Sequence, residues 1–239
     1  MEDQIILIDK PAGISSFGVV AKVRTKLRND FGHKIKVGHT GTLDPFATGL
    51  LILLTGKMTK KSSEFLKLDK VYEATLKLGF TSTTGDLEGE INKYIRTPKD
   101  TLSRSIIADA AITKRTSPVT TGARERSEKD VSLVLDTFIG KITQTPPKFS
   151  AIKINGQRAY KLARQGKDFE IPSRQIEIYS ISIINYDYPE LKIRVHCSSG
   201  TYIRTLAEDI GEKLGTGAYL TALRRTKIGN YNVINAKSI

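Results

Sequence analysis

One carboxylate stands alone in the string GHTGTLDPFATGLL, residues 38–51. It is Asp44, set between a glycine- and threonine-rich loop and an apolar run, with His39 five residues upstream. A lone acid followed by proline has two physical uses. Asp-Pro commonly starts a turn, which the aspartate side chain can itself stabilise. Alternatively, burial beside Leu43, Phe46 and Leu50 raises the proton affinity of such a carboxyl while a nearby cation holds it down, which keeps the group reactive. The string by itself leaves both uses open. Other chemistries find less support. GLLILLTGKM resembles a phosphate loop, but six residues separate its glycines and Met58 stands where Ser or Thr should follow Lys57. His33, His39 and His196 lack paired ligand spacing, and Cys197 is the single cysteine, so no metal site, disulfide or cysteine-based zinc site is expected. There is no GxSxG elbow. No cofactor motif is found.

The charge balance points to a polyanionic partner. The 239 residues carry 38 Lys and Arg against 25 acids, a net +13, in the manner of nucleic-acid binders. Residues 141–167 hold seven basic side chains (Lys141, Lys148, Lys153, Arg158, Lys161, Arg164, Lys167) and no acid. Residues 218–239 hold four more (Arg224, Arg225, Lys227, Lys237), again without an acid. Solubility alone favours mixed signs. The longest apolar window is Leu50 to Leu54, far short of the roughly 18 residues that span a bilayer. The N-terminus lacks the regions of a signal peptide. These features predict a cytoplasmic protein with no membrane segment.

Elements that position Asp44 follow from periodicity. Ile5 to Ile8 reads as a strand, and Ser16 as the cap of an amphipathic helix to about Asp30. Gly49 to Thr55 reads as a buried strand and Met58 to Leu68 as a helix. A further strand contains Val71, Ala74, Leu76 and Leu78, with Tyr72 able to face a cleft. Ser127 and Asp130 form a capping box for a helix to about Phe138. Phe149 to Ile154, Gln175 to Asn185 and Leu191 to His196 read as strands, Thr201 to Leu214 as a helix ending at Gly215, and Tyr219 to Leu223 as the start of the last strand. Strands with interspersed helices, without a βαβ period, predict an α+β domain on a mixed, largely antiparallel sheet. Residues 92–126, with eight basic side chains against three acids, read as an inserted basic segment.

The string around Asp44 resembles the signature of the TruB family of tRNA pseudouridine synthases, which isomerise the uridine of the TΨC loop. Other blocks follow in the family's order. DKPAGISS (9–16) resembles its N-terminal motif, and KVYEATLKLG (70–79) the strand bearing its active-site tyrosine. PPKFSAIKINGQRAYKLARQG (146–166) resembles its RNA-gripping thumb, CSSGTYIRTLAEDIG (197–211) the segment with its active-site arginine, and ALRRTKIG (222–229) its last catalytic strand. The resemblance implies a pseudouridine synthase-like fold, with Asp44 as the catalytic aspartate and Tyr72 as the tyrosine stacked on the target base. It implies that Arg204 pairs with the aspartate and that His39 lies where the base is extruded. Tyr202 and Leu223 are implied to line the uridine pocket, while Lys10 and Pro11 support the catalytic loop. In the thumb-like segment at about 143–167, Lys148, Lys153, Arg158 and Arg164 are the expected phosphate contacts.

The expected reaction breaks the N1–C1′ bond, rotates the uracil and rejoins it through C5, with no redox step and no cofactor. The carboxylate is a nucleophile on C6 or C1′, or a stabiliser of a ribose intermediate; the sequence does not choose. The expected partner is the tRNA TΨC stem-loop, bound by a monomer without an obligate protein partner. The family's C-terminal RNA-binding domain, often of the PUA type, is expected to be absent from this chain. Two other readings remain: a synthase of the same superfamily acting on another RNA, and a tRNA-folding chaperone without catalysis.

Overall fold

The computed structural model describes residues 2–95, 126–154 and 156–239. Most of the basic segment expected at 92–126 thus lies outside the described residues. The elements run β1 (Ile5–Lys10), α1 (Ser16–Phe31), β2 (Val37–His39), β3 (Thr48–Thr55), a 3-10 turn (Gly56–Lys61) and α2 (Ser62–Lys67). Next come β4 (Lys70–Leu78), β5 (Phe80–Ser82), β6 (Ile91–Lys93), α3 (Glu128–Asp136) and β7 (Gly140–Gln144). Then follow β8 (Lys153–Ile154), β9 (Gln157–Arg158), α4 (Ala159–Arg164), β10 (Arg174–Asp187), β11 (Glu190–Cys197), α5 (Ile203–Leu214), β12 (Ala218–Ile228) and β13 (Tyr231–Asn232).

Among the described residues nine strands form one sheet, ordered β1-β3-β12-β4-β11-β10-β7, with β2 on β3 and β13 on β12. The fold is α+β and the sheet mixed, as expected. The pairings are antiparallel except β12 with β3, which meet in parallel through only two residue pairs, Arg224 with Thr48 and Arg225 with Gly49. That short seam joins two halves. On one side, α1 packs Val19, Val20 and Val23 onto Ile8, Leu51 and Leu53. Leu50, Ile52 and Leu54 fill the opposite face of β3 with Phe65 and Ile228. A strand buried on both faces needs an unbroken apolar run, and GLLILL supplies it. On the other side, α3 and α5 cover β4, β10, β11 and β12. There β4 alternates buried and half-buried residues, as a strand covered more fully on one face should.

Local chemistry differs from the sequence reading at three places. Ser15, not Ser16, caps α1 by accepting from Gly18 N at 3.0 Å. Ser16 is buried and exchanges two bonds with the Leu43 backbone, at 2.8 and 2.9 Å. The helix expected from Met58 to Leu68 is a 3-10 turn followed by a short α-helix. The strand expected from Phe149 shrinks to Lys153–Ile154, because earlier carbonyls have other partners: Phe149 O accepts from Arg204 Nη2, Ser150 O from Tyr160 N, and Ala151 O from Arg158 Nη1. The Ser127–Asp130 capping box is present at α3.

The seam sets a steric demand. Gly49 has φ +102°, and a Cβ there would lie 2.3 Å from Arg225 O and 2.8 Å from Arg225 N. Neither β3 nor β12 can retreat, since both are flanked by other strands. Gly49→Ala is therefore expected to destabilise the fold by about 3 kcal/mol or more, combining left-handed strain with a backbone clash. Thermal melting checks this: a midpoint within about 2 °C of the parent's, less than 1 kcal/mol normally produces in a chain of this size, would refute the seam's tightness.

Candidate active site

The loop between β2 and β3 carries Asp44. Its backbone makes a turn, with Ala47 N donating to Asp44 O at 3.1 Å and Pro45 supplying a fixed φ in the middle. The side chain is free for another task. Three residues of the DKPAGISS segment hold the loop from below. Lys10, fully buried, donates from Nζ to Pro11 O, Ile14 O and Pro45 O at 2.9, 2.7 and 3.1 Å. Gly13 N donates to Pro45 O at 2.9 Å, and Ser16 pairs with Leu43 as described. All three ammonium donors of Lys10 are thus used, as burial of a lysine requires. Burial still brings its pKa down to about 8, with Asp44 pulling the other way.

Arg204 approaches from the first turn of α5. Its side chain is 5% exposed, and Nε lies 3.1 Å from Asp44 Oδ2. The Nε–H does not point squarely at that oxygen, so the contact is an ion pair and not a well-formed hydrogen bond. Nη1 lies 3.3 Å from Asp86 Oδ2 and donates to Thr84 O at 3.0 Å; Nη2 donates to Phe149 O at 2.8 Å. One guanidinium therefore ties together the Asp44 loop, the turn after β5 and the segment before β8. Burial raises the Asp44 pKa above its ordinary value, Arg204 acts against it, and Asp86 reinforces the rise.

Asp44 and Arg204 share the wall of a cavity of about 290 Å³ with Tyr72, Tyr202 and Leu223. Five of the expected site residues thus converge from a loop, two strands and a helix start. Tyr72, on β4, is buried; burial pushes its phenol upward and Arg225 acts against that rise. Tyr202 precedes α5 without a side-chain cap, and its backbone is clamped by Gln144. Gln144 Oε1 accepts from Tyr202 N at 2.8 Å and its Nε2 donates to Tyr202 O at 3.0 Å. Arg174 lies over the Tyr202 ring, 4.8 Å from its centroid. His39 is not part of this lining. It sits on β2 with Nδ1 buried and unpartnered, and burial, then Arg225 and Arg158, hold its pKa below the usual value.

The four expected phosphate contacts are exposed and stand outside the lining: Lys148, Lys153, Arg158 and Arg164. Lys148 pairs with Asp168 at 3.4 Å on the surface, a contact of little energetic weight. Arg158 reaches back to Ala151 O, itself on the cavity wall. Sequence reasoning missed Asp86, Ser150, Arg174, Lys70 and Arg225. Two of them left a usable trace: Arg225 follows Leu223, and Lys70 precedes Tyr72, by two residues on a strand, so each shares a face with an expected site residue. Among the described residues no cluster of three or more His, Cys, Asp or Glu side chains could hold a metal ion.

Comparison with known proteins places the chain in a family. Residues 28–113 and 112–203 match the family described as TruB family pseudouridylate synthase (N terminal domain). Residues 204–238 match the tRNA pseudouridylate synthase B C-terminal domain, which here comprises α5, β12 and β13. A relative from Phocaeicola vulgatus named tRNA pseudouridine synthase B is 43% identical over 239 residues, covering 100% of this chain and 91% of its own. One of the same name from Flavobacterium johnsoniae is 42% identical, covering 100% and 94%. Among solved structures, the Cbf5-Nop10-Gar1 complex contains a chain with TM-score 0.67 and 25% identity, and this chain spans 52% of it. On the strength of these matches, which run over nearly the whole sequence, the chain belongs to the TruB family of pseudouridylate synthases.

Proposed function

We propose that this protein isomerises uridine to pseudouridine in tRNA, with the uridine at position 55 of the TΨC loop as its target. The observation that carries the reading is the Asp44–Arg204 ion pair, 3.1 Å apart, on the wall of a cavity shared with Tyr72, Tyr202 and Leu223. The curated relatives bearing the tRNA name align over the full chain, whereas the Cbf5 chain is matched over half its length; this favours tRNA over another RNA. The reading includes a single catalytic domain acting as a monomer, in the cytoplasm, without an obligate protein partner. Among the described residues no helix is long and apolar enough to cross a membrane.

The target uridine is stacked inside a folded loop, so it must be flipped out, at a cost of a few kcal/mol. Phosphate contacts from the basic 143–167 segment and stacking on Tyr72 offset that cost. His39, held neutral and beside the loop, occupies the gap the base leaves. In the cavity Asp44 acts as the nucleophile or charge stabiliser while the N1–C1′ bond breaks. The uracil turns, C5 bonds to C1′, the C5 proton leaves and N1 gains one, so the atoms balance without a co-reactant. Arg204 fixes one orientation of the carboxylate, and Tyr202 and Leu223 shape the pocket around the ring.

Asp44→Asn tests the reading directly. The amide keeps the turn, since Asn also favours it, but carries no charge. Pseudouridine yield after long incubation with an unmodified tRNA transcript is expected at background, with tRNA affinity equal or slightly higher. Substantial product from the folded variant would remove Asp44 from the chemistry.

The active form of Asp44 is the carboxylate, and its pKa lies above the ordinary carboxyl value of about 3.9. The single-turnover rate must therefore fall with decreasing pH while the pH is still above that value. Arg204→Met, which removes the cation that lowers the pKa, moves the acid limb to higher pH. Rate profiles measured with saturating tRNA check both; a limb at or below the ordinary value contradicts them.

Phosphate contact predicts salt dependence. The log–log slope of tRNA affinity against salt should be about −0.7 to −0.9 per phosphate neutralised. Replacing Lys148, Lys153 and Arg164 together with Ala should make it shallower. An unchanged slope in a binding titration places the grip elsewhere.

A further inference from the structure

The cavity wall holds a second buried cation that the chemistry above leaves unused. Arg225 is 1% exposed, among the largest fully buried side chains. Its Nε donates to Leu50 O at 2.8 Å and its Nη2 to Gly41 O at 3.0 Å. Gly41 precedes Asp44 and Leu50 follows it, so one planar group grips the loop on both sides. Neither acceptor is a carboxylate. Burying a guanidinium costs several kcal/mol unless its surroundings compensate, and an apolar residue could fill the same space; the retained charge needs a use.

Tyr72 supplies it. In the β12–β4 pairing Arg225 stands opposite Tyr72, where side-chain roots are about 5 Å apart, and both residues line the cavity. Of the charged and titratable groups that face Tyr72, Arg225 comes from β12, Cys197 from β11 and Asp44 from the loop. The guanidinium favours the more negative form of the hydroxyl; the other two oppose it. Arg225 in turn faces three basic groups, Lys10 on β1, Lys70 on β4 and His39 on β2, and one acid, Asp44 on the loop.

We propose that Arg225 is a positioning residue of the reaction: held in place by its two bonds to the backbone on either side of Asp44, its guanidinium orients the Tyr72 hydroxyl, so that the phenol meets the target nucleotide in one fixed geometry. The proposal rests on the pseudouridine synthase reading given above. Lysine at this position keeps a charge but not the fork that reaches several acceptors at once. A residue acting through Tyr72 must also lose most of its effect once the hydroxyl is gone, whereas a simple strut must not.

The test is a double-mutant cycle in single turnover on a tRNA transcript, with enzyme in excess and tRNA binding measured alongside. Arg225→Lys is expected to lower the rate at saturating tRNA by about 100-fold, the scale of a 1 Å misplacement, with the dissociation constant within about threefold. In a Tyr72→Phe background the same replacement should cost no more than about fivefold, the rest of its effect having run through the hydroxyl. Equal losses in both backgrounds, a wild-type rate in Arg225→Lys, or a loss confined to binding would each overturn the proposal. If Arg225→Lys melts below the assay temperature, Arg225→Gln takes its place in the cycle, and loss of the fold in both variants also overturns it. A parent protein that makes no pseudouridine in the transcript refutes the underlying reading instead, which separates the two failures.

Discussion

A guanidinium between two carboxylates organises this molecule. Arg204 is nearly excluded from water, and so is Asp86, whose side chain is 3% exposed. Removing such charges from water is costly, and their mutual attraction compensates only where the remaining donors are also satisfied. The protein supplies two such partners by bringing Thr84 O and Phe149 O to the same guanidinium. Three segments far apart in sequence are thereby fixed around one group on α5. Asp44 is the member left partly open to solvent, at 34% side-chain exposure. The cluster thus has one accessible oxygen-bearing arm, and it faces the cavity.

The loop carrying that arm is held by backbone acceptors more than by side-chain pairs. Lys10, Gly13 and Ser16 all address main-chain atoms of Leu43 or Pro45, and Arg225 addresses those of Gly41 and Leu50. Main-chain anchoring leaves the Asp44 side chain without a local hydrogen-bond partner to compete with Arg204. It also reconciles the two uses of Asp-Pro: the carbonyl of Asp44 closes a turn while its carboxylate remains available.

Much of the fold and the core of the site were legible in the sequence, for identifiable reasons. Asp44 stands out because no other acid shares its string, and GLLILL announces a strand buried on both faces. Arg204, Tyr72 and Tyr202 were placed by family resemblance, since nothing in their immediate neighbours separates them from ordinary surface or core residues. Asp86 left no signal: TTGDLEG reads as any polar turn, and only the folded chain brings it to Arg204. The cap of α1 was misassigned by one residue because Ser15 and Ser16 are chemically equivalent until one of them is buried against Leu43. The strand expected from Phe149 failed because β-propensity does not register that its carbonyls have been claimed by Arg204, Tyr160 and Arg158.

The position of β12 has a consequence for the life of the growing chain. This strand comes late in the sequence yet lies in the middle of the sheet, between β3 and β4. Its bonds to Leu50 and Gly41 span 175 and 184 residues. During synthesis β3 and β4 are made long before residues 218–228, the strand that pairs with both. Non-local closure of this kind is slow and comes last. A partly made chain already carries the basic side chains of residues 141–167 but lacks Leu223, Arg225 and the strand that frames the cavity, so a polyanion that meets it finds charge without a pocket.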